Sequence, residues 1–153
     1  MEARKIWGAI VNDSRSWGTN VRGYISNQFT TKKHTEQELR DIHRRLLYTH
    51  IGWLYTLRSQ LLIPTPWEHL GQGGRMTRFT ENRMNTFGVG LFADVVTEKI
   101  LPECLGESNL ERLISAQNTA TQVIDQQSQD LKELREKDLI DDFRHMELQK
   151  ILN

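Results

Sequence analysis

The stretch RLLYTHIGWLYTLRSQL, Arg45–Leu61, decides the fold class. Bulky apolar side chains stand on nearly every face of the helix that its periodicity predicts, yet Arg45, His50 and Arg58 lie among them. A surface helix is apolar along one stripe, and a bilayer span needs ~20 predominantly apolar residues free of such cations. The stretch fits neither pattern, so its surroundings must be read from the rest of the chain.

Upstream, Thr35 followed by Glu38 forms a capping box, the strongest local helix start in the sequence. From there Leu39, Ile42, Leu46, His50, Trp53 and Leu57 make one face, widened by Leu47, Ile51, Leu54 and Leu61. IPTPW, 63–67, stops this helix because each proline removes a donor and disfavours helical geometry in the residue before it. An earlier helix is predicted from about Glu2 to Gln28, with Ile6, Ile10, Trp17, Val21 and Tyr24 on one stripe. Trp7, Val11, Ser14, Gly18 and Ile25 lie beside it, and the small Ser14 and Gly18 allow close approach by a neighbour. FTTKKHT, 29–35, breaks the pattern between the two helices.

Downstream, an irregular excursion covers about 64–107, with one helix expected in LFADVVTEKIL, 91–101. Capping boxes at Ser108/Glu111 and Thr119/Gln122 predict two more helices, the second carrying Val123, Ile124, Gln127, Leu131 and Leu134. Asp138 is expected to cap a last helix with Ile140, Phe143, Leu148 and Ile151 on its apolar stripe. The reading is all-α: a single helical region over 1–153, built as a bundle with long antiparallel helices. The first stripe starts without an N-cap, and ELQKILN, 147–153, ends without a stop signal, so a piece of a longer chain is expected.

Composition narrows the function. Twenty basic and twenty acidic residues cancel, which argues against a nucleic-acid binder that works by neutralising phosphates. The balance hides an asymmetry: residues 1–62 hold ten Lys/Arg against five Asp/Glu, and residues 63–153 hold ten against fifteen. Such halves attract one another within a chain or between subunits. The lone Cys104 excludes an intrachain disulfide and a thiolate metal cluster, and it points to a reducing, cytosolic setting. Neither a signal peptide nor a membrane-length apolar run is present in the sequence.

Catalytic patterns are weak throughout. Asp141 and Asp142 are adjacent and point about 100° apart on a helix, which suits capping and solvation better than acid/base work. His43 and His50 are seven residues apart, too far for i, i+4 zinc ligation, and a buried, hydrogen-bonded histidine is the better reading. GQGGR, 71–75, lacks a preceding strand and the Gly-Lys-Ser/Thr ending of a phosphate loop. Arg75, Arg78 and Arg83 are interrupted by acids, and Cys104 has no nearby base. No enzyme, metal site or cofactor is expected.

EARKIWGAIVNDSRSW (2–17), RRLLYTHIGWLYTLRSQL (44–61) and LREKDLIDDFRHMELQKIL (134–152) together resemble the bestrophin family of ion channels, in its bacterial branch. Residues 2–63 and about 108–153 carry the resemblance. It implies a homo-oligomeric, pentameric channel in the cell membrane, in which this part builds a vestibule facing the cytoplasm. Anion, and specifically chloride, conduction is implied for the intact protein, whose membrane segments lie outside this chain. The opening stretch then packs against its own bundle on one side and a neighbouring subunit on the other. Arg45, His50 and Arg58 become candidates for the vestibule surface or for ion pairs, and Trp7, Trp17, Trp53, Leu57 and Phe143 for packing or subunit contacts. Thirteen residues separate the two arginines, about 140° from a common face, so at most one lines a pore. A soluble helical adaptor or assembly protein, or a truncated channel fragment without function, shares the same pattern.

Overall fold

The computed structural model describes residues 2–62, 99–114 and 118–153, and the readings for GQGGR, Arg75, Arg78, Arg83 and most of 91–101 lie outside them. The described residues form six helices and no strand: α1 Glu2–Tyr24, α2 Glu36–Leu62, α3 Leu101–Leu105, α4 Glu107–Ile114, α5 Thr119–Glu136 and α6 Asp142–Leu152. The all-α class read from the sequence is correct.

Capping chemistry explains where the helices begin and where the sequence reading slipped. At α2 the capping box is complete: Thr35 N–H donates to Glu38 Oε2 at 2.6 Å, and Glu38 N–H donates back to Thr35 Oγ1 at 3.2 Å. The Thr35 N–H and the Thr35 hydroxyl, both donating to Glu38 Oε2, hold the Glu38 carboxyl below its usual range. Helix α1 stops at Tyr24, short of Gln28, because the next backbone donors are redirected. Ser26 N–H reaches Leu139 O at 3.2 Å, and the Asn27 amide clamps His34 through both its oxygen and its nitrogen.

Three predicted starts move. Ser108 lies inside α4, because Gly106 at φ 77 ends α3 and its carbonyl accepts the first bond of α4 from Leu110 N–H. Thr119 is the first helical residue of α5 and not its cap. Asp138 does not cap α6; it closes α5. At φ 53 it takes the left-handed position of a Schellman ending, with Leu139 N–H on Leu134 O at 2.9 Å and Asp138 N–H on Arg135 O at 3.0 Å. Asp141 is the true cap of α6, its carboxylate accepting from Arg144 N–H at 2.8 Å.

The chain divides into two compact units, Met1–His50 with Thr121–Asn153, and Ile51–Ala120. In the first, Trp17, Val21, Ile25, Leu46, Leu131, Leu134, Leu139, Ile140, Leu148 and Leu152 form one buried core, fed by α1, α2, α5 and α6. Arg144 ties α6 to the end of α1, donating to Tyr24 O at 3.0 Å and Gln28 Oε1 at 2.8 Å while lying over the Phe29 ring. In the second, Leu101, Leu105, Leu110, Leu113 and Ala120 are buried. There α2 and α3 approach so closely that a Cβ on Gly52 would stand 2.7 Å from Leu105 Cδ2.

Candidate functional site

His50 sits where three helices meet. Its α2 position on the apolar face turns it into the first unit, where it is 5% exposed and stacks on Trp17 of α1 with ring centroids 5.5 Å apart. Nε2 lies 3.0 Å from Ser14 Oγ on α1, and Nδ1 lies 3.0 Å from the Gln127 side-chain oxygen on α5. The Ser14 hydroxyl donates to Ile10 O at 2.7 Å, so it can only accept from His50, which places the proton of the neutral ring on Nε2.

That assignment fixes the other side of the ring. Nδ1 then offers a lone pair and requires a donor, while the Gln127 amide nitrogen is buried without a partner. Turning the amide end for end brings its nitrogen to Nδ1 and gives both atoms a partner. A doubly protonated ring would need the amide oxygen instead. Ionisation of His50 and orientation of Gln127 are therefore coupled. Burial pushes His50 below its ordinary value; an amide oxygen at Nδ1 would oppose this, and the turned amide does not, so the neutral arrangement is the stable one. Trp17 Nε1 is also buried without a hydrogen-bond partner, at a cost of about 1–3 kcal/mol.

Arg45 lies five residues earlier on α2 and faces outward. Its side chain is 51% exposed and reaches Asp130 of α5, 7% exposed, at 3.9 Å. Burial raises the Asp130 carboxyl, and Arg45 and a hydrogen bond from Gln126 pull it back down. The pair spans the outer limit of an ion pair and leaves much of the guanidinium in water. Beside it Arg44 lies over the exposed Tyr48 ring at 5.2 Å.

The remaining sequence candidates are dispersed. Trp17 is wholly buried in the first unit, whereas Trp7 is 45% and Phe143 65% exposed. Arg58, Trp53 and Leu57 belong to the second unit, each half-buried. Gln127 and Asp130 were not singled out as site residues from the sequence. The available signal was a glutamine on the apolar stripe of α5, since a buried amide requires a partner. Among the described residues no group of three His, Cys, Asp or Glu side chains could hold a metal ion, and no helix is long and apolar enough to cross a membrane.

Residues 1–153 match the family model described as bacterial/fungal bestrophin protein. No curated protein and no solved structure matches the chain.

Proposed function

We propose, because the chain belongs to the bacterial/fungal bestrophin family of ion channels, that it forms part of the vestibule wall of a pentameric channel that conducts anions, chloride among them. The observation that carries this reading is the family match over the whole of residues 1–153. In the intact protein this wall faces the cytoplasm, and other segments supply the membrane span and the constrictions.

Features of the chain support the assignment of roles. Arg45 holds a cation at a water-facing position of α2, with a buried carboxylate behind it to fix the side chain. A fixed charge there raises the local anion concentration without binding any ion tightly, and salt screens it. Apolar side chains left exposed on α1 and α2, among them Ile6, Trp7, Ile51 and Leu61, are surfaces for neighbouring subunits or adjoining segments.

Two measurements test the proposal. Sedimentation of the chain should show self-association at micromolar concentration, and a clean monomer with no dye-binding apolar surface would count against it. The second is single-channel recording after residues 1–153 replace the matching segment of a bestrophin-like host. Conduction should survive the graft, because the host supplies the constrictions.

A further inference from the structure

An open groove of about 790 Å³ runs along the outer face of α1, lined by Ser14, Arg15, Gly18, Thr19, Arg22 and Gly23, with Leu47 of α2 at its edge. Arg15 and Arg22 are seven residues apart, so they share a face about 10.5 Å apart along the helix. Neither makes an ion pair among the described residues. Gly18, between them, and Gly23, just past Arg22, present backbone: a Cβ on Gly18 would only touch Leu47, and one on Gly23 would meet nothing within 4 Å.

The groove is poorly built for a small anion. Thr19 Oγ1 is engaged by Arg15 O at 3.0 Å, and Ser14 Oγ by Ile10 O and His50. Only two guanidiniums remain to bind a ligand, too far apart to converge on one small ion. A charged helix face fits better, because carboxylates along its length meet both arginines while its backbone passes over the glycines.

The chain carries such a face. Glu103 on α3 and Glu107 and Glu111 on α4 are exposed, and none of the three makes an ion pair among the described residues. Glu107 and Glu111 are one turn apart, while Leu110 and Leu113 are buried. With eight residues α4 is about 12 Å long, close to the spacing of the two arginines. The groove lies in the cationic part of the sequence and the ridge in the acidic part, five charges in excess on each side. We infer that the Arg15/Arg22 groove docks the Glu103–Glu107–Glu111 ridge of a second copy of this chain. The inference rests on the proposed assembly and names the surfaces that build it. Because groove and ridge are different surfaces, their contact is head-to-tail, the type that can close into a ring.

Introduced cysteines give a direct test. One copy carries Thr19→Cys with Cys104→Ser and the other Ser108→Cys with Cys104→Ser, because Cys104 itself packs toward Gly52 of α2 whereas Ser108 is exposed between Glu107 and Glu111. The two are mixed and oxidised. A mixed disulfide dimer should form. Arg15→Glu with Arg22→Glu in the first copy should lower its yield roughly tenfold, and Glu107→Arg with Glu111→Arg in the second should restore it. Circular dichroism of each variant checks that the helices are intact. If the unmodified chain sediments as a monomer, the assembly reading itself falls. If it assembles but gives no mixed disulfide, or if the reversed charges fail to rescue, the docking assignment is overturned and the assembly reading stands.

Discussion

Ile6 and Trp17 lie on one stripe of α1, eleven residues and close to three full turns apart, yet Ile6 is 58% exposed and Trp17 is wholly buried. The apolar period that holds Ile6 and Ile10 passes the polar Asp13 and Ser14 and resumes at Trp17. What changes is the cover: the later half of the helix meets α6 and shares a core with α2 and α5, and the earlier half leaves Ile6 and Trp7 in water. An apolar stripe therefore records where a surface is to be covered, not whether the covering element belongs to the same folded unit. In the channel reading, the exposed half of α1 is covered by something other than this core.

The largest expected effect sharpens that contrast. Trp17→Ala should destabilise the chain by about 3–5 kcal/mol in denaturant unfolding, through lost burial and the cavity left behind. A change as small as that of a surface substitution would erase the distinction between the halves. Next comes a pair of glycines. Gly52→Ala should cost about 1–3 kcal/mol, because the added carbon would meet Leu105 and the rigid Cβ of Cys104 at 3.3 Å. Gly8→Ala, in the exposed half of α1 with nothing within 4 Å, should instead gain up to about 1 kcal/mol from helix propensity. Equal signs for the two would contradict the packing at α2 and α3.

A smaller effect tests the polar centre of the covered half. Burial lowers the His50 value in the folded state below the ordinary 6.5, so the neutral ring is favoured by folding. Its contribution is fully present above that ordinary value and is lost as pH falls below it, by at most about 1.4 kcal/mol per pH unit. Asp130 works in the opposite sense: its raised carboxyl contributes stability at low pH that is lost as pH rises through its elevated value. His50→Gln should flatten the decline that begins near the ordinary histidine value. An unchanged slope would mean that His50 does not titrate out of a buried neutral state. Smallest of all is Trp7→Ser, which should shift stability by no more than ~0.5 kcal/mol. It should nonetheless weaken self-association in sedimentation, and a loss of several kcal/mol would show that the first half of α1 is covered after all.

The sequence was most legible where the decisive chemistry is local. Thr35 and Glu38 bind each other across three residues, so the start of α2 was readable, while the stop expected from IPTPW, 63–67, lies outside the described residues. Asp138 misled because an aspartate suits a cap at either end of a helix. Only the backbone bonds from Leu139 to Leu134 and from Asp138 to Arg135 assign it to the end of α5. The start of α4 was displaced for a similar reason, since the positive φ of Gly106 outranks the Ser108 signal two residues later. The polar site was hardest to read. His50 and Gln127 are 77 residues apart, and no period links a histidine on one helix to an amide on another. The family resemblance was legible from the α1, α2 and α5–α6 motifs, and the match to the family model extends over the 64–107 excursion as well.

Single-channel recording of the grafted host, with and without Arg45→Gln, tests the vestibule assignment most directly. Arg45 stands half in water above a buried carboxylate, so loss of its charge should lower anion conductance at low salt and leave it nearly unchanged at high salt. Pentamer yield should be unaltered in both forms. A graft that assembles but conducts no ions, or a conductance indifferent to Arg45 at every salt concentration, would contradict the placement of these helices along the ion pathway.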